Sequence, residues 1–124
     1  MAAEGAEKSV DFAYLEGFAA GDADVVCEVL TLFQRQAPVW IAGLADDPPD
    51  WPDVVHTIKG AARGIGANRL GDLCAEAEAK GPLGLPAVRV ALAEAAADIA
   101  AYLDHSRRRQ SQARQRLVRR RSLK

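Results

Sequence analysis

Apolar residues recur at steps of three and four along most of this chain, between breaks formed by glycine and proline. This pattern predicts amphipathic helices, each with one face on a shared core. The alternation of apolar and polar residues that would indicate a strand is found nowhere in the sequence. Only 6% of the residues are aromatic while alanine is abundant, which favours closely packed helices over a sheet.

A short leading helix is predicted near the start of the chain. Either Ser9 or Asp11 can cap it, because both side chains accept hydrogen bonds from backbone N–H groups at a helix start. Spacings of three residues then place three apolar side chains on its inner side: Phe12, Leu15 and Phe18.

The first long helix is predicted over about residues 22 to 44, with Asp22 as its N-cap. Pro38 lies inside this stretch and lacks the N–H that an α-helix uses there. Two interpretations remain open, a single bent helix or two helices that break at Pro38. We favour the bend, because the apolar stripe continues past the proline.

Three more long helices follow from the same periodicity. Asp50 is the predicted cap of the second, and Gly81 with Pro82 ends the third. The three helices are expected over about residues 51–66, over about residues 69–80, and from Pro86 onward. Short loops between long helices imply antiparallel neighbours, so the predicted fold is all-α. It is an antiparallel up-down four-helix bundle with a short extra N-terminal helix.

Charge divides the chain unevenly. Residues 1–104 contain seven Lys and Arg against all seventeen Asp and Glu, a balance of −10, whereas residues 105–124 contain nine Lys and Arg and no acid, a balance of +9. We therefore expect a flexible N-terminus over 1–8, the bundle over 9–104 and a basic C-terminal tail over 105–124.

The basic tail supports more than one interpretation. Its composition favours a disordered or frayed extension of the last helix, and it could also fold back on the acidic body. Its charge alone would suffice to bind nucleic acid or an acidic surface. No aromatic residue is interleaved with the basic ones, so base stacking is not indicated.

The sequence shows neither a membrane-spanning apolar run nor a secretory signal, because its N-terminus is polar and acidic. A cytoplasmic location is therefore expected. Cys27 and Cys74 each lie in an apolar helical pattern without Cys-x-x-Cys or Cys/His spacing. We expect two small buried thiols and no zinc site.

The predicted helix over 51–66 presents two contrasting faces at about 100° per residue. One arc is apolar and consists of Val54, Val55, Ile58, Ala61, Ala62 and Ile65. The opposite arc consists of Asp53, His56, Lys59, Gly60, Arg63, Gly64 and Ala67. His56 is therefore predicted to point away from the core.

The face around His56 combines open space with positive charge. Glycine inside a helix costs about 1 kcal/mol relative to alanine, yet Gly60 and Gly64 lie one and two turns after His56. Lys59 and Arg63 share this face and could stabilise an anion on the imidazole, with Gly64 facing a partner. Because neutral imidazole is a nucleophile near neutral pH, this arrangement favours phosphoryl transfer over an ordinary surface histidine.

The stretch from His56 to Leu70 resembles the signature of the histidine phosphotransfer (HPt) family. That signature reads His-x-(Leu/Ile)-Lys-Gly-(Ser/Ala)-(Ser/Ala), followed by glycine ten residues after the histidine and an apolar residue four further on. Gly66 and Leu70 occupy those last two positions. The resemblance covers about residues 10–104.

The resemblance implies a role for each matching residue. His56 would accept a phosphoryl group from a receiver-domain aspartate and pass it to another receiver, Lys59 would steady its charge, and Gly60 would keep the site open. Arg63 departs from the family, which often has a small or polar residue there. Glu78, on the next helix, is expected to hydrogen-bond near the imidazole.

The same resemblance indicates a phosphoryl carrier rather than a self-sufficient enzyme. The sequence contains no glycine-rich ATP loop and no P-loop. Mg²⁺ would belong to the partner receiver, so no cofactor and no small-molecule substrate are expected for this chain. The expected partners are receiver domains of hybrid sensor kinases and of response regulators, and a monomer is expected.

Two alternatives remain at this point. One is a helical adaptor or dimerisation module that uses the bundle surface without phosphorylation. The presence of His56, Lys59 and Gly60 together argues against it. The other is a structural homodimer similar to the dimerising helices of sensor kinases, which are typically followed by an ATP-binding domain that this sequence lacks.

Overall fold

Helices account for nearly all of the ordered secondary structure, and glycine or proline lies at most of their boundaries. The structure is a computed structural model and describes residues 9–122, so the predicted flexible segment 1–8 lies outside the described residues. The helices are α1 (Phe12–Phe18), α2 (Ala23–Gly43), α3 (Trp51–Ile65), α4 (Asn68–Lys80) and α5 (Leu85–Ser122), with a 3₁₀ turn at Pro82–Gly84 before α5.

Helices α2 to α5 form a closed ring around the core. α2 packs against α3 and α5, α4 also packs against α3 and α5, and the short α1 lies against α2 and α3. Short connections join successive helices, so neighbours along the chain run antiparallel. The predicted all-α bundle with an extra N-terminal helix is confirmed.

The core is built from aliphatic side chains of every helix. Leu30 of α2, Ile58 of α3, Leu70 of α4 and Leu92 of α5 are each at most 1% exposed. Among residues 9–122 no polar or charged residue is buried, so the core needs no internal ion pair. None of the helices in this range has both the length and the apolar character that a membrane span requires.

Three predicted features of the long helices can be compared with the structure. α2 continues through Pro38 as one helix, which excludes a break there. Asp22 caps α2 by accepting hydrogen bonds from the N–H groups of Asp24 and Val25. Asp50 precedes α3 as predicted, but its side chain makes no capping hydrogen bond.

The leading helix begins at one of its two candidate caps. Asp11 accepts a hydrogen bond from the Tyr14 N–H at 3.0 Å and caps α1. Ser9 instead donates from its N–H and its hydroxyl to Asp98 Oδ2, at 3.0 and 2.6 Å, which ties the start of the chain to α5. The inward placement predicted for Phe18 is wrong. Its side chain is 79% exposed because α1 ends there, one turn after the buried Leu15.

A left-handed glycine joins α3 to α4. Gly66 has φ +86°, and its carbonyl accepts a hydrogen bond of 2.9 Å from the Asp11 N–H. A Cβ at this position would lie 2.8 Å from the Asp11 carbonyl oxygen, so the close approach requires glycine. Because the chain leaves the helical path here, Ala67 is fully buried. The prediction that Ala67 shares the exposed face of His56 is therefore wrong.

α5 extends far beyond the bundle. Its last fully buried residue is Ile99, Ser106 is half-buried, and every residue from 107 to 122 is exposed. Over residues 107–122 the basic segment is thus a continuous helical extension rather than a disordered one, and it does not fold back on the acidic body. Sixteen residues at 1.5 Å each give it a length of about 24 Å.

Candidate functional site

The site is centred on the first half of α3, where buried neighbours orient one exposed histidine. Val55 and Ile58 are both fully buried and fix the inner face of the helix. His56 therefore projects outward, with 73% of its side chain exposed. The orientation predicted from the helical wheel is confirmed.

Glu78 connects the histidine to the nearby lysine. Its Oε2 lies 3.2 Å from His56 Nδ1, while its Oε1 accepts a hydrogen bond from Lys59 Nζ. Lys59 and Glu78 are shielded more than the imidazole, with 21% and 27% of their side chains exposed. The antiparallel packing of α3 and α4 therefore brings together a nucleophile, a cation and a carboxylate.

The charge on Glu78 determines which imidazole nitrogen is free. The hydrogen bond from Lys59 holds the pKa of the Glu78 carboxyl below its usual range. Partial desolvation raises this pKa, and the hydrogen bond with His56 lowers it further. At neutral pH Glu78 is thus a carboxylate and favours a proton on Nδ1. In that tautomer Nε2 has the free lone pair and faces away from Glu78.

The glycines beside His56 leave the space that the sequence predicts. A Cβ built on Gly60 or on Gly64 would meet no atom within 4 Å, apart from its own helix backbone. Both residues are exposed. A phosphoryl donor or a second protein could therefore approach His56 along this side of α3.

Arg63 does not lie beside the imidazole. It follows His56 by two turns, about 10 Å along the axis, and its aliphatic stem crosses α4 at Gly71. A Cβ on Gly71 would lie 3.0 Å from Arg63 Cγ, so glycine provides the room for this stem. The structure brings Lys59 and Glu78 to His56 but places Arg63 further along the same face.

The two cysteines differ in their surroundings. Cys74 is buried on α4 behind the site, and burial raises the pKa of its thiol to about 11, so it stays protonated at neutral pH. Cys27 is only half-buried, contrary to expectation, and its Sγ contacts the Ser106 hydroxyl at 3.3 Å. In the part of the chain that the structure describes, no three His, Cys, Asp or Glu residues are grouped so that they could hold a metal ion.

Reasoning from the sequence missed the ion pair of Lys59 with Glu78 and the function of Gly71. A signal for the first was present, because Lys59 lies one turn after His56 on the same face of α3 and so lies near any residue that faces the imidazole. His56 and Glu78 lie at equal separations before and after Ala67, in the short turn between the two helices. Antiparallel helices joined by a short turn bring such positions to the same level. The fit of Gly71 under Arg63 has no comparable signal, because it depends on the distance between the helix axes.

A four-helix bundle with an exposed histidine, a neighbouring lysine and a glycine-lined approach defines a class of phosphotransfer modules. The family model of the Hpt domain matches residues 28–109, and the chain belongs to this family. The site thus lies within the matched region.

The chain is also similar to a histidine phosphotransferase of known structure, ShpA from Caulobacter crescentus. The two are 53% identical with a TM-score of 0.73, and the match covers 82% of this chain and 97% of that one. The comparison with curated proteins gave no match. Family membership and this similarity place the chain among the phosphorelay proteins of two-component signalling.

Proposed function

We propose that this protein carries a phosphoryl group on His56 between the aspartates of two receiver domains. The observation that supports this most directly is the pairing of exposed His56 with Glu78, which also binds Lys59. A structural histidine would not need a carboxylate to fix its tautomer, nor an open face formed by two helical glycines.

In the forward step, the Nε2 lone pair attacks the phosphorus of the receiver's aspartyl phosphate. An N–P bond forms, the P–O bond to the aspartate breaks, and the aspartate leaves as a carboxylate. Glu78 retains the proton on Nδ1 and stabilises the positive charge that develops on the ring. Lys59 lies one turn away, where its ammonium group can pair with a phosphoryl oxygen. The reverse sequence delivers the group to the next receiver.

Gly60 and Gly64 keep the face of α3 clear for the receiver, and Arg63 is positioned to contact it beyond the reacting atoms. The Mg²⁺ of the reaction is expected in the acidic pocket of the receiver, and none in this chain. Hpt proteins interact with receiver domains. For this chain, we propose receivers of hybrid sensor kinases and of response regulators as partners. We further propose a monomeric carrier in the cytoplasm that lacks kinase activity of its own.

Phosphotransfer from a radiolabelled receiver domain tests this proposal. The wild-type protein should acquire label that is acid-labile and base-stable, as expected for phosphohistidine. His56→Gln should acquire none, whereas His105→Gln should be labelled at the wild-type rate, because His105 lies on α5 outside the site.

Two results would contradict the proposal. Label on His56→Gln would show that another residue accepts the phosphoryl group. A wild-type protein that binds a panel of phosphorylated receivers without becoming labelled would instead be the phosphorylation-independent adaptor.

A further inference from the structure

The part of α5 that follows the bundle contributes none of the side chains that contact His56. We define the arginine extension as residues 107–122, all of which are exposed and helical. It contains eight arginines and no acidic residue. The Hpt family model ends at residue 109, so most of this segment lies outside what the family accounts for.

The arginines lie along two sides of the extension. At about 100° per residue, two groups of three each fall within an arc of about 40°, and the centres of the arcs are about 140° apart. One stripe consists of Arg107, Arg114 and Arg121, and the other of Arg109, Arg116 and Arg120. Arg108 and Arg119 both lie on one side of the second stripe, about 60–80° from its edge. Arg108 forms an ion pair of 3.1 Å with Asp104 at the base of the extension.

A flat acidic surface would contact only one of these stripes. An interfacial membrane helix also needs a continuous apolar face. The large apolar residues of the extension are Leu117 and Val118, which are consecutive and therefore point about 100° apart. A membrane surface or a single acidic protein face is thus a poor match for this helix.

A concave anionic site with two charged walls would match both stripes. The major groove of B-form DNA is about 12 Å wide, a helix with its side chains is about 10–12 Å across, and phosphates line both walls of the groove. The major groove of duplex RNA is too deep and narrow for side chains to read. Single strands are favoured by aromatic stacking, and residues 107–122 contain no aromatic side chain.

We propose that the arginine extension lies as a helix in the major groove of duplex DNA. There it would contact the phosphates of both strands without requiring a particular sequence. This inference does not depend on the proposed phosphotransfer. It adds a DNA-binding element to the carrier.

The position of the extension keeps the two activities apart. Tyr102, near the end of the buried part of α5, stacks on Phe12 of α1 and donates a hydrogen bond to Glu16. α1 in turn contacts Gly66, at the end of α3 opposite to His56. The extension therefore projects from the end of the bundle remote from His56, and DNA bound there would leave the histidine accessible.

Fluorescence anisotropy with a labelled 24-base-pair duplex and the full chain tests the proposal. Binding should weaken with salt, with a slope of log K against log salt that reaches about −7 if all eight arginines contact phosphate. Two matched triple variants, R107Q/R114Q/R121Q and R109Q/R116Q/R120Q, each remove three charges. Each should weaken binding about 10-fold or more at 100 mM salt and reduce the slope by about 2 to 3.

A helix-breaking variant separates the shape of the extension from its charge. Gln112→Pro retains every arginine but interrupts the helix, and it should weaken binding about as much as a triple variant. Binding unaffected by Gln112→Pro would overturn the proposal, as would a loss confined to one of the two triple variants. No binding at 50 mM salt would also overturn it.

Vesicles containing phosphatidylserine provide the competing surface. If the protein bound these vesicles as tightly as DNA or more tightly, the DNA proposal would be contradicted and membrane attachment would be indicated instead. All the variants should accept phosphoryl from a receiver at the wild-type rate. Failure of DNA binding is therefore distinguishable from failure of phosphotransfer.

Discussion

At the scale of single residues, Glu78 is the side chain that contacts both His56 and Lys59. An isolated surface imidazole distributes its proton over both nitrogens and rotates freely. Here Glu78 accepts from Nδ1 and is held in turn by Lys59, so Nε2 is presented to the solvent in one orientation. Histidine, lysine and glutamate thus act as one unit.

Removal of Glu78 should slow phosphoryl transfer without destabilising the fold. In Glu78→Ala, Nδ1 loses its acceptor, so we expect a transfer rate reduced about 10-fold or more. The matched control is Glu76→Ala. This residue lies on the same helix but pairs with Lys80, away from His56, and its variant should transfer at the wild-type rate. A rate for Glu78→Ala equal to that of the control would exclude a positioning function.

The state of the Glu78 carboxyl should depend on Lys59. Because its pKa is lowered in the fold, its contacts stabilise the protein above the ordinary glutamate pKa and are lost as pH falls through the lowered value. An NMR titration should place the Glu78 midpoint below the ordinary value, and Lys59→Met should raise it. Lys80→Met removes a charge from the same helix at a residue that pairs with Glu76 instead, and it should leave the Glu78 midpoint unchanged. A midpoint unaffected by Lys59→Met would contradict the assignment.

At the scale of elements, the hairpin of α3 and α4 is the framework of the site. Its turn is fixed by Gly66, which adopts a left-handed conformation and contacts the backbone of Asp11. This contact docks α1 on the hairpin. Gly66, ten residues after His56, thus has a structural function, whereas Gly60 and Gly64 leave open space beside His56.

Alanine should have opposite effects at two of these glycines. Gly66→Ala should lower the free energy of unfolding by about 2 kcal/mol or more, because of its positive φ and the Asp11 carbonyl oxygen. Gly64→Ala should raise it by about 0.5–1 kcal/mol, because a helical Cβ meets only open space there. Urea denaturation measures both values. Equal stabilities for the two variants would contradict this account of the turn.

At the scale of the whole molecule, the chain consists of a bundle and a helical projection, for which we propose separate functions. The buried core ends at Ile99, and no side chain of the arginine extension is buried. Arg109, Gln110 and Ala113 border an open cavity beside Glu16 and Gly21, but the extension contributes no buried side chain to the core that stabilises the bundle. Its charge balances that of the acidic remainder and leaves the protein close to neutral.

Truncation after Ser106 should leave the bundle intact. The removed residues bury no apolar side chain, whereas Ser106 and its contact with Cys27 are retained. We expect the free energy of unfolding to change by less than about 1 kcal/mol in urea denaturation. Phosphotransfer from a receiver should be unaffected. A loss of several kcal/mol would show that the extension contributes to the folding of the bundle.

Local patterns in the sequence were sufficient to predict the helices, the outward direction of His56 and the class of the fold. Periodicity reports which face of a helix is buried, and glycine and proline report where helices end. Such patterns fail where the chain leaves a regular path. Phe18 at the end of α1 and Ala67 after the left-handed Gly66 were both assigned to the wrong side for this reason.

Only the tertiary structure decided which residues meet across helices. Glu78 contacts both His56 and Lys59 because of the way α3 and α4 are rotated against each other. The spacing of these two helices also decides that the Arg63 stem packs on Gly71, away from the imidazole. The continuation of α5 to Ser122 is likewise a property of the folded chain, because the composition of the basic segment favours disorder. The sequence by itself determined that His56 is exposed, and the packing of two helices determined what surrounds it.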